Sequence, residues 1–114
     1  MNLETKKIGT IIEIFLSGRL DVHLSASIEK SIDKLIEEEP GTDLLINLKD
    51  VEYMSSSGLR IFVSTMRVLK ESKRKLVLCH MNDSVKKIFE VVELMDMFDI
   101  YDTEEAALEA LKKE

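Results

Sequence analysis

The sequence predicts an α/β protein in which helices cross over a mostly parallel β-sheet. Short apolar runs typical of buried strands alternate with segments whose apolar residues recur at helical spacing. Only the first two strand-like segments follow each other directly, whereas a helix-length segment separates every later pair. The predicted order is β-β-α-β-α-β-α-β-α, with about five strands and about four helices.

The first half of the chain begins with a hairpin. In its second strand, Ile12 and Ile14 face one side of the sheet and Glu13 faces the other. Ser25 is predicted to cap the first helix, which Pro40-Gly41 ends. In order, the predicted elements are strands at 3–7 and 11–17, a loop opened by Gly18-Arg-Leu-Asp21, a helix from near Ser25 to about Glu38, and a strand at 43–48.

The second half alternates helices and strands. Asn82 and Thr103 precede apolar-periodic segments and can cap them. In order, the predicted elements are a helix from the serines at 55–57 to about Ser72, a strand at 75–79, a helix after Asn82, a short strand near Phe98–Tyr101, and a helix after Thr103.

Length and composition fit one cytoplasmic domain spanning residues 1–114. A net charge of −6 argues against nucleic acid as a partner, and no apolar run is long enough for a membrane span. The single cysteine, Cys79, fits a reducing compartment, and its apolar neighbours predict a buried, inert thiol. Abundant glutamate and lysine without any glutamine are typical of a thermophilic source.

Three consecutive serines, Ser55, Ser56 and Ser57, lie where a strand is followed by a helix. The first backbone N–H groups of a helix have no intrahelical acceptor, and they favour negative charge. A serine at this place can be a plain N-cap, a nucleophile or a phosphate acceptor. The residues alone leave these three interpretations open.

Catalysis has little support in the sequence. His23 and His80 are the two histidines, and both are predicted to be solvated loop residues. The chain lacks a Gly-x-Ser-x-Gly elbow, a phosphate-binding glycine loop and metal-ligand spacing of Cys and His. We therefore expect no enzyme activity, no cofactor and no metal, with a serine hydrolase as a remote alternative.

Two segments, Gly18-Arg-Leu-Asp21 and Lys49 to Leu59, resemble the STAS domain of bacterial anti-sigma factor antagonists, and the resemblance covers the whole chain. It implies that an anti-sigma factor with serine kinase activity phosphorylates Ser56, that the unphosphorylated form binds this partner, and that a serine phosphatase restores binding. Asp21 would be the acidic residue beside the acceptor. The implied partner-binding residues are Asp21, His23, Ser55, Ser56, Ser57, Gly58 and Arg60.

The chain departs from the family pattern at two positions. Ser55 stands where the family usually has Asp, and Arg60 stands where it usually has Gly. Ser55 and Ser57 are therefore alternative acceptors. Two further alternatives are an unphosphorylated STAS interaction module of a signalling complex and a small-ligand-binding STAS domain. The expected state is a monomer, or a weak homodimer paired through the edge of the N-terminal hairpin.

The second helix carries a predicted basic stripe. Arg60, Arg67 and Arg74 are spaced by seven, which places them close to one helical face. Such a stripe is either a solvated face or a docking surface, in which Arg60 is nearest to the serines.

Overall fold

A computed structural model describes residues 3–112; residues 1, 2, 113 and 114 of the predicted domain lie outside the described part. Within residues 3–112 there are five strands and four α-helices in the predicted order, with one short 3-10 turn. The elements are β1 (Glu4–Ile8), β2 (Ile11–Leu20), α1 (Val22–Glu38), β3 (Asp43–Met54), α2 (Ser56–Glu71), β4 (Leu76–Cys79), α3 (Asp83–Val91), the turn Met95–Met97, β5 (Asp99–Tyr101) and α4 (Glu104–Lys112).

The five strands form one mixed sheet in the order β1-β2-β3-β4-β5. Only β1 and β2 are antiparallel, and the other three pairings are parallel, as the element order predicts. The β2–β3 register shifts between Phe15 and Ser17 and again between Gly18 and Arg19. Gly18 adopts a φ of 84°, which glycine accommodates without strain. β1 is an edge strand, so pairing of two copies there stays a prediction.

The helices cover the two faces of the sheet unequally. One face carries the large core, to which α1, α2 and α3 contribute Ile32, Phe62 and Phe89, among others. α4 covers the other face through Ala107 and Leu111. The sheet is thus sandwiched, with most of the apolar burial on the three-helix side. Within residues 3–112, no helix combines the length and apolarity needed to cross a bilayer.

Three predicted boundaries near the serines are wrong: the end of β2, the end of β3 and the start of α1. β2 continues through the expected loop because Arg19 and Leu20 pair with Tyr53 and Met54 at the extended end of β3. α1 then begins at Val22, capped by Asp21. Ser25 therefore lies inside the helix, and it is buried.

The other predicted caps are confirmed. The N–H of Val85 donates to Asn82 Oδ1 at 2.8 Å, and the N–H of Ala106 donates to Thr103 Oγ1 at 3.1 Å. The Cys79 thiol is also buried, as predicted. Burial, reinforced by the nearby charges of the carboxyl groups, raises its pKa to about 12, so it stays a protonated, unreactive thiol.

The third arginine of the predicted stripe does not belong to α2, which ends at Glu71. The Arg74 guanidinium instead lies at the C-terminus of α1. Its Nη2 donates to the carbonyl of Glu39 and to Thr42 Oγ1, each at 3.0 Å, and Nη1 donates to the carbonyl of Ile36 at 3.4 Å; Nε donates to the carbonyl of Thr42. A cation here satisfies carbonyls that the helix leaves unpaired and complements the helix dipole.

Replacing Arg74 with methionine is expected to lower the free energy of unfolding by about 2 to 3 kcal/mol, because half-buried carbonyls lose a charged donor. Urea denaturation followed by circular dichroism measures the change. Arg67→Met is the matched control, since Arg67 is exposed on α2. An equal loss in the two variants would contradict a capping role for Arg74.

Candidate functional site

The ends of two adjacent parallel strands bring together the two segments that carry the family resemblance, Gly18–Asp21 and Lys49–Leu59. Leu20, the last residue of β2, pairs with Met54, the last residue of β3. The next residue in each segment caps a helix: Asp21 Oδ1 accepts from the N–H of Leu24 at 2.9 Å, and Ser55 caps α2. The two helix starts therefore lie side by side at the carboxyl edge of the sheet. Such an edge is where parallel sheets commonly place their functional residues.

A cation–π contact precedes the two helix starts. The Arg19 guanidinium lies 4.6 Å from the centre of the Tyr53 ring, and these two residues are partners in the β2–β3 register. The contact joins the strand ends immediately before the two caps.

Ser55 is committed to the fold. Its Oγ donates to the carbonyl of Leu20 at 2.9 Å and accepts from the N–H of Gly58 at 3.3 Å. Its own N–H also donates to the Leu20 carbonyl, at 3.0 Å. The half-buried hydroxyl thus ties the start of α2 to the end of β2, which is the N-cap interpretation of the serine pattern.

Ser56 and Ser57 differ from Ser55 in their surroundings. Ser56 is exposed, and no residue in 3–112 hydrogen-bonds to its hydroxyl. Ser57 is half-buried and faces the space between α1 and α2. The N–H groups of Ser56 and Ser57 also have no acceptor among the described residues, as expected for the first turn of a helix. Of the three serines, Ser56 offers the accessible hydroxyl.

Gly58 permits the tight approach of α2 to the sheet. A Cβ at this position would lie 2.8 Å from Met54 Cγ and 3.0 Å from Leu20 Cβ. It would also lie 3.1 Å from the Leu20 carbonyl oxygen, which accepts both hydrogen bonds that Ser55 donates. The glycine of the signature is therefore required by packing.

A shallow groove of about 210 Å³ separates the starts of α1 and α2. Its lining residues are Val22, Ser25, Ala26, Glu29, Ser57, Arg60 and Ile61. Val22 is 63% exposed, a large value for an apolar residue. Sequence reasoning missed Val22 because it placed the helix start three residues later. Arg60 is exposed one turn after Ser56.

The histidines do not build a catalytic site with the serines. His23 is exposed in the first turn of α1, not in a loop as predicted. His80 lies in a loop, as predicted, but it is half-buried rather than solvated, and its Nε2 accepts from the N–H of Glu104 at 3.1 Å. In residues 3–112, no hydrogen bond joins either ring to Ser55, Ser56 or Ser57.

No cluster in the described part of the chain has the donor set of a metal centre. In residues 3–112, no group of three or more His, Cys, Asp or Glu side chains is arranged so that it could hold a metal ion. The site at the two helix starts is a surface of serine hydroxyls and free N–H groups, together with Asp21, Val22, His23 and Arg60.

This fold, with its serine-capped helix, is that of a STAS domain, and the STAS domain family model matches residues 2–107. The anti-sigma-B factor antagonist of Staphylococcus aureus (strain NCTC 8325 / PS 47) is 30% identical over 95 residues, which cover 82% of this chain and 86% of that protein. The anti-sigma-B factor antagonist of Bacillus subtilis (strain 168) is 31% identical over 94 residues, covering 82% and 84%. The chain belongs to the anti-sigma factor antagonist family of STAS domain proteins.

The fold is also shared with a solved antagonist from Bacillus. The anti-sigma factor antagonist SpoIIAA in its unphosphorylated form matches with a TM-score of 0.84 and 24% identity, over 99% of this chain and 98% of that one. Its phosphorylated form matches with a TM-score of 0.73 and 23% identity, over 96% and 99%. These likenesses support the predicted α/β architecture.

Proposed function

We propose that this protein binds an anti-sigma factor through the face formed by the starts of α1 and α2, and that phosphorylation of Ser56 switches this binding off. The observation that carries the proposal is the difference in hydrogen bonding and exposure between Ser55 and Ser56. Ser55 is held by the Leu20 carbonyl, whereas Ser56 presents an uncommitted hydroxyl at the helix start. The proposed docking face comprises Asp21, Val22, His23, Ser55, Ser56, Ser57 and Arg60. Gly58, which the resemblance also implied, is buried against Met54 and Leu20 and contributes to packing only.

The proposed modification is a phosphoryl transfer from ATP. The Ser56 Oγ attacks the γ-phosphorus and loses its proton, the bond from that phosphorus to the β–γ bridging oxygen breaks, and ADP leaves. A serine phosphatase then hydrolyses the phosphoester with water and releases inorganic phosphate. The proposal places both steps in the cytoplasm, where an anti-sigma factor acts.

The helix start suits the product of this reaction. A phosphoserine carries nearly two negative charges, and the free N–H groups of Ser56 and Ser57 favour an anion. Asp21 contributes a nearby carboxylate already occupied as a cap, and Ser55 supplies no carboxylate where the family has one. We therefore infer that orientation of the Ser56 hydroxyl depends on the kinase.

The test is a phosphorylation assay with ATP and an anti-sigma factor that has serine kinase activity of the GHKL type. Tandem mass spectrometry of the 50–60 peptide is expected to place one phosphate on Ser56. Ser56→Ala should abolish the modification, and Ser57→Ala, the matched control, should retain it. A phosphate on Ser55 or Ser57 instead would contradict the choice of acceptor.

A second candidate is an unregulated interaction module, and the serine in place of Asp at position 55 favours it. A stable complex with the anti-sigma factor but no phosphate would support this candidate over the switch. A small-ligand-binding role is the third candidate. Saturable heat from a nucleotide or lipid in calorimetry would support it.

Val22→Asp is expected to weaken the complex with the anti-sigma factor about tenfold or more, because a charge would replace an exposed apolar contact in the proposed face. Isothermal titration calorimetry measures the affinity. Val91→Asp is the matched control, since Val91 is 73% exposed on α3, away from the groove. Equal losses for both variants would argue against this docking face.

A further inference from the structure

A buried carboxyl group lies on the sheet face opposite the large core, beneath the start of α4. Glu13 of β2 is 0% exposed. Its Oε2 accepts from Asn47 Nδ2 of β3 at 3.1 Å, while no donor among the described residues reaches its Oε1. An ionised carboxylate with an unsatisfied buried oxygen is costly, so this position favours a protonated side chain.

The natural acceptor for that proton is Glu104, the first residue of α4, which lines the same cavity as Asn47, the hydrogen-bond partner of Glu13. The N-terminus of a helix favours the carboxylate form, and Glu104 is only partly buried. Two adjacent carboxyl groups also resist simultaneous ionisation. The negative charge therefore belongs on Glu104 and the proton on Glu13.

The pKa values of the pair agree with this assignment. Burial, with a hydrogen bond to Glu104 as the next cause, raises the pKa of Glu13 to about 7. The hydrogen bond from Glu13 holds the pKa of Glu104 below its usual range. Ionisation of Glu13 thus falls near neutral pH, where cells operate.

The other groups around the pair do not supply a full counter-charge. Lys6 of β1 lies opposite Glu13 in the strand register and partly offsets its charge, but Lys6 is exposed. Cys79 of β4 is a protonated thiol, and Asn47 is neutral. His80 accepts the Glu104 N–H through Nε2. Deprotonated Glu13 would therefore remain poorly compensated while α4 covers it.

We propose that a proton shared between Glu13 and Glu104 fastens α4 to the sheet, and that its loss above neutral pH lets α4 open. Because Glu13 binds its proton more tightly in the folded protein, the stabilisation is complete below the ordinary pKa of glutamic acid. It declines as pH rises through about 7 and is lost above that value. Glu104 works in the opposite direction, but only in the acid range.

Opening of α4 would separate this helix from a small apolar cluster on the sheet. α4 is held to the sheet by a small cluster in which Ala107 and Leu111 pack on Leu45, Val77 and Cys79. Release of α4 would hydrate Glu13 and expose this cluster. A shift from 4.5 to about 7 permits a change of about 300-fold in the opening equilibrium over the full titration.

Amide hydrogen exchange by NMR from about pH 5.5 to about pH 8.5 tests the proposal, after correction for the intrinsic pH dependence of exchange. The protection of α4 amides is expected to fall at least tenfold across this range, relative to amides of α1. Glu13→Gln should abolish the fall because it cannot ionise. Glu105→Gln, the control at an exposed position of the same helix, should retain it.

An unchanged α4 protection in the wild type, or the same fall in Glu13→Gln, would overturn the proposal. If Glu13→Gln does not fold, carboxyl ¹³C titration of the wild type and Glu104→Gln still decides. The Glu13 midpoint should be near neutral pH in the wild type and lower in Glu104→Gln, because Glu104 raises it. A midpoint near the ordinary value in both proteins would contradict a shared proton.

Discussion

Phosphorylation of Ser56 is expected to lower the affinity of this protein for its anti-sigma factor by at least about 100-fold, or about 2.7 kcal/mol. The proposed docking face is built around an exposed hydroxyl at the start of α2. Adding a dianionic group there brings unpaired charge and bulk into an interface that closes over a neutral side chain. The effect is on binding, since the Ser56 hydroxyl has no hydrogen-bond partner among the described residues and so does not hold the fold together.

The fold itself is expected to persist in the phosphorylated form. The N–H groups of Ser56 and Ser57 have no acceptor among the described residues and can donate to phosphate oxygens. Arg60 follows Ser56 by four residues on the same helix, so its guanidinium can also donate to the phosphate. These donors stabilise the anion where it forms. The melting temperature should therefore change little, while the affinity changes greatly.

Calorimetric titration of the phosphorylated and unphosphorylated proteins with the anti-sigma factor measures the difference. Ser84→Glu provides a charge control, because Ser84 is an exposed serine in the first turn of α3. It should bind like the wild type, whereas Ser56→Glu should bind weakly. Equal affinities of the phosphorylated and unphosphorylated forms would contradict the switch.

The order of elements could be predicted from the sequence because each helix carries its own apolar periodicity and each strand its own apolar run. The ends of β2 and β3 could not, since they depend on pairing of Leu20 with Met54, far apart in the chain. That pairing makes Asp21 the helix cap and moves Ser25 into the interior. The sequence prediction that Ser25 caps the first helix is therefore wrong.

The candidate site was predictable in position but not in detail. Three serines at a helix start are visible in the sequence. Only the structure shows that Ser55 is hydrogen-bonded to the Leu20 carbonyl whereas Ser56 is exposed. The alternation of β2 correctly placed Glu13 on the second face of the sheet. Nothing local indicates that α4 buries it against Asn47. The raised pKa of Glu13 depends on these tertiary neighbours, which the local sequence does not reveal.

Gly58→Val is expected to lower the free energy of unfolding by about 3 kcal/mol, and Gly58→Ala by about 1 to 2 kcal/mol. Even the alanine Cβ would stand 2.8 Å from Met54 Cγ and 3.1 Å from the Leu20 carbonyl oxygen. Displacing Leu20 would also disturb both hydrogen bonds that Ser55 donates to it. These costs exceed the helix propensity that alanine gains over glycine, about 1 kcal/mol.

Urea denaturation of Gly58→Ala in two backgrounds separates the steric cost from other effects. Met54→Ala removes the nearest atom, so the cost of Gly58→Ala should shrink by at least about 0.5 kcal/mol in that background. Stabilisation by Gly58→Ala in the wild-type background would mean that α2 can move away from the sheet without loss. Ser55 caps α2 and also donates to the Leu20 carbonyl at the end of β2, so a movement of α2 would loosen the surface that presents Ser56. In that case Gly58 would serve partner binding more than packing.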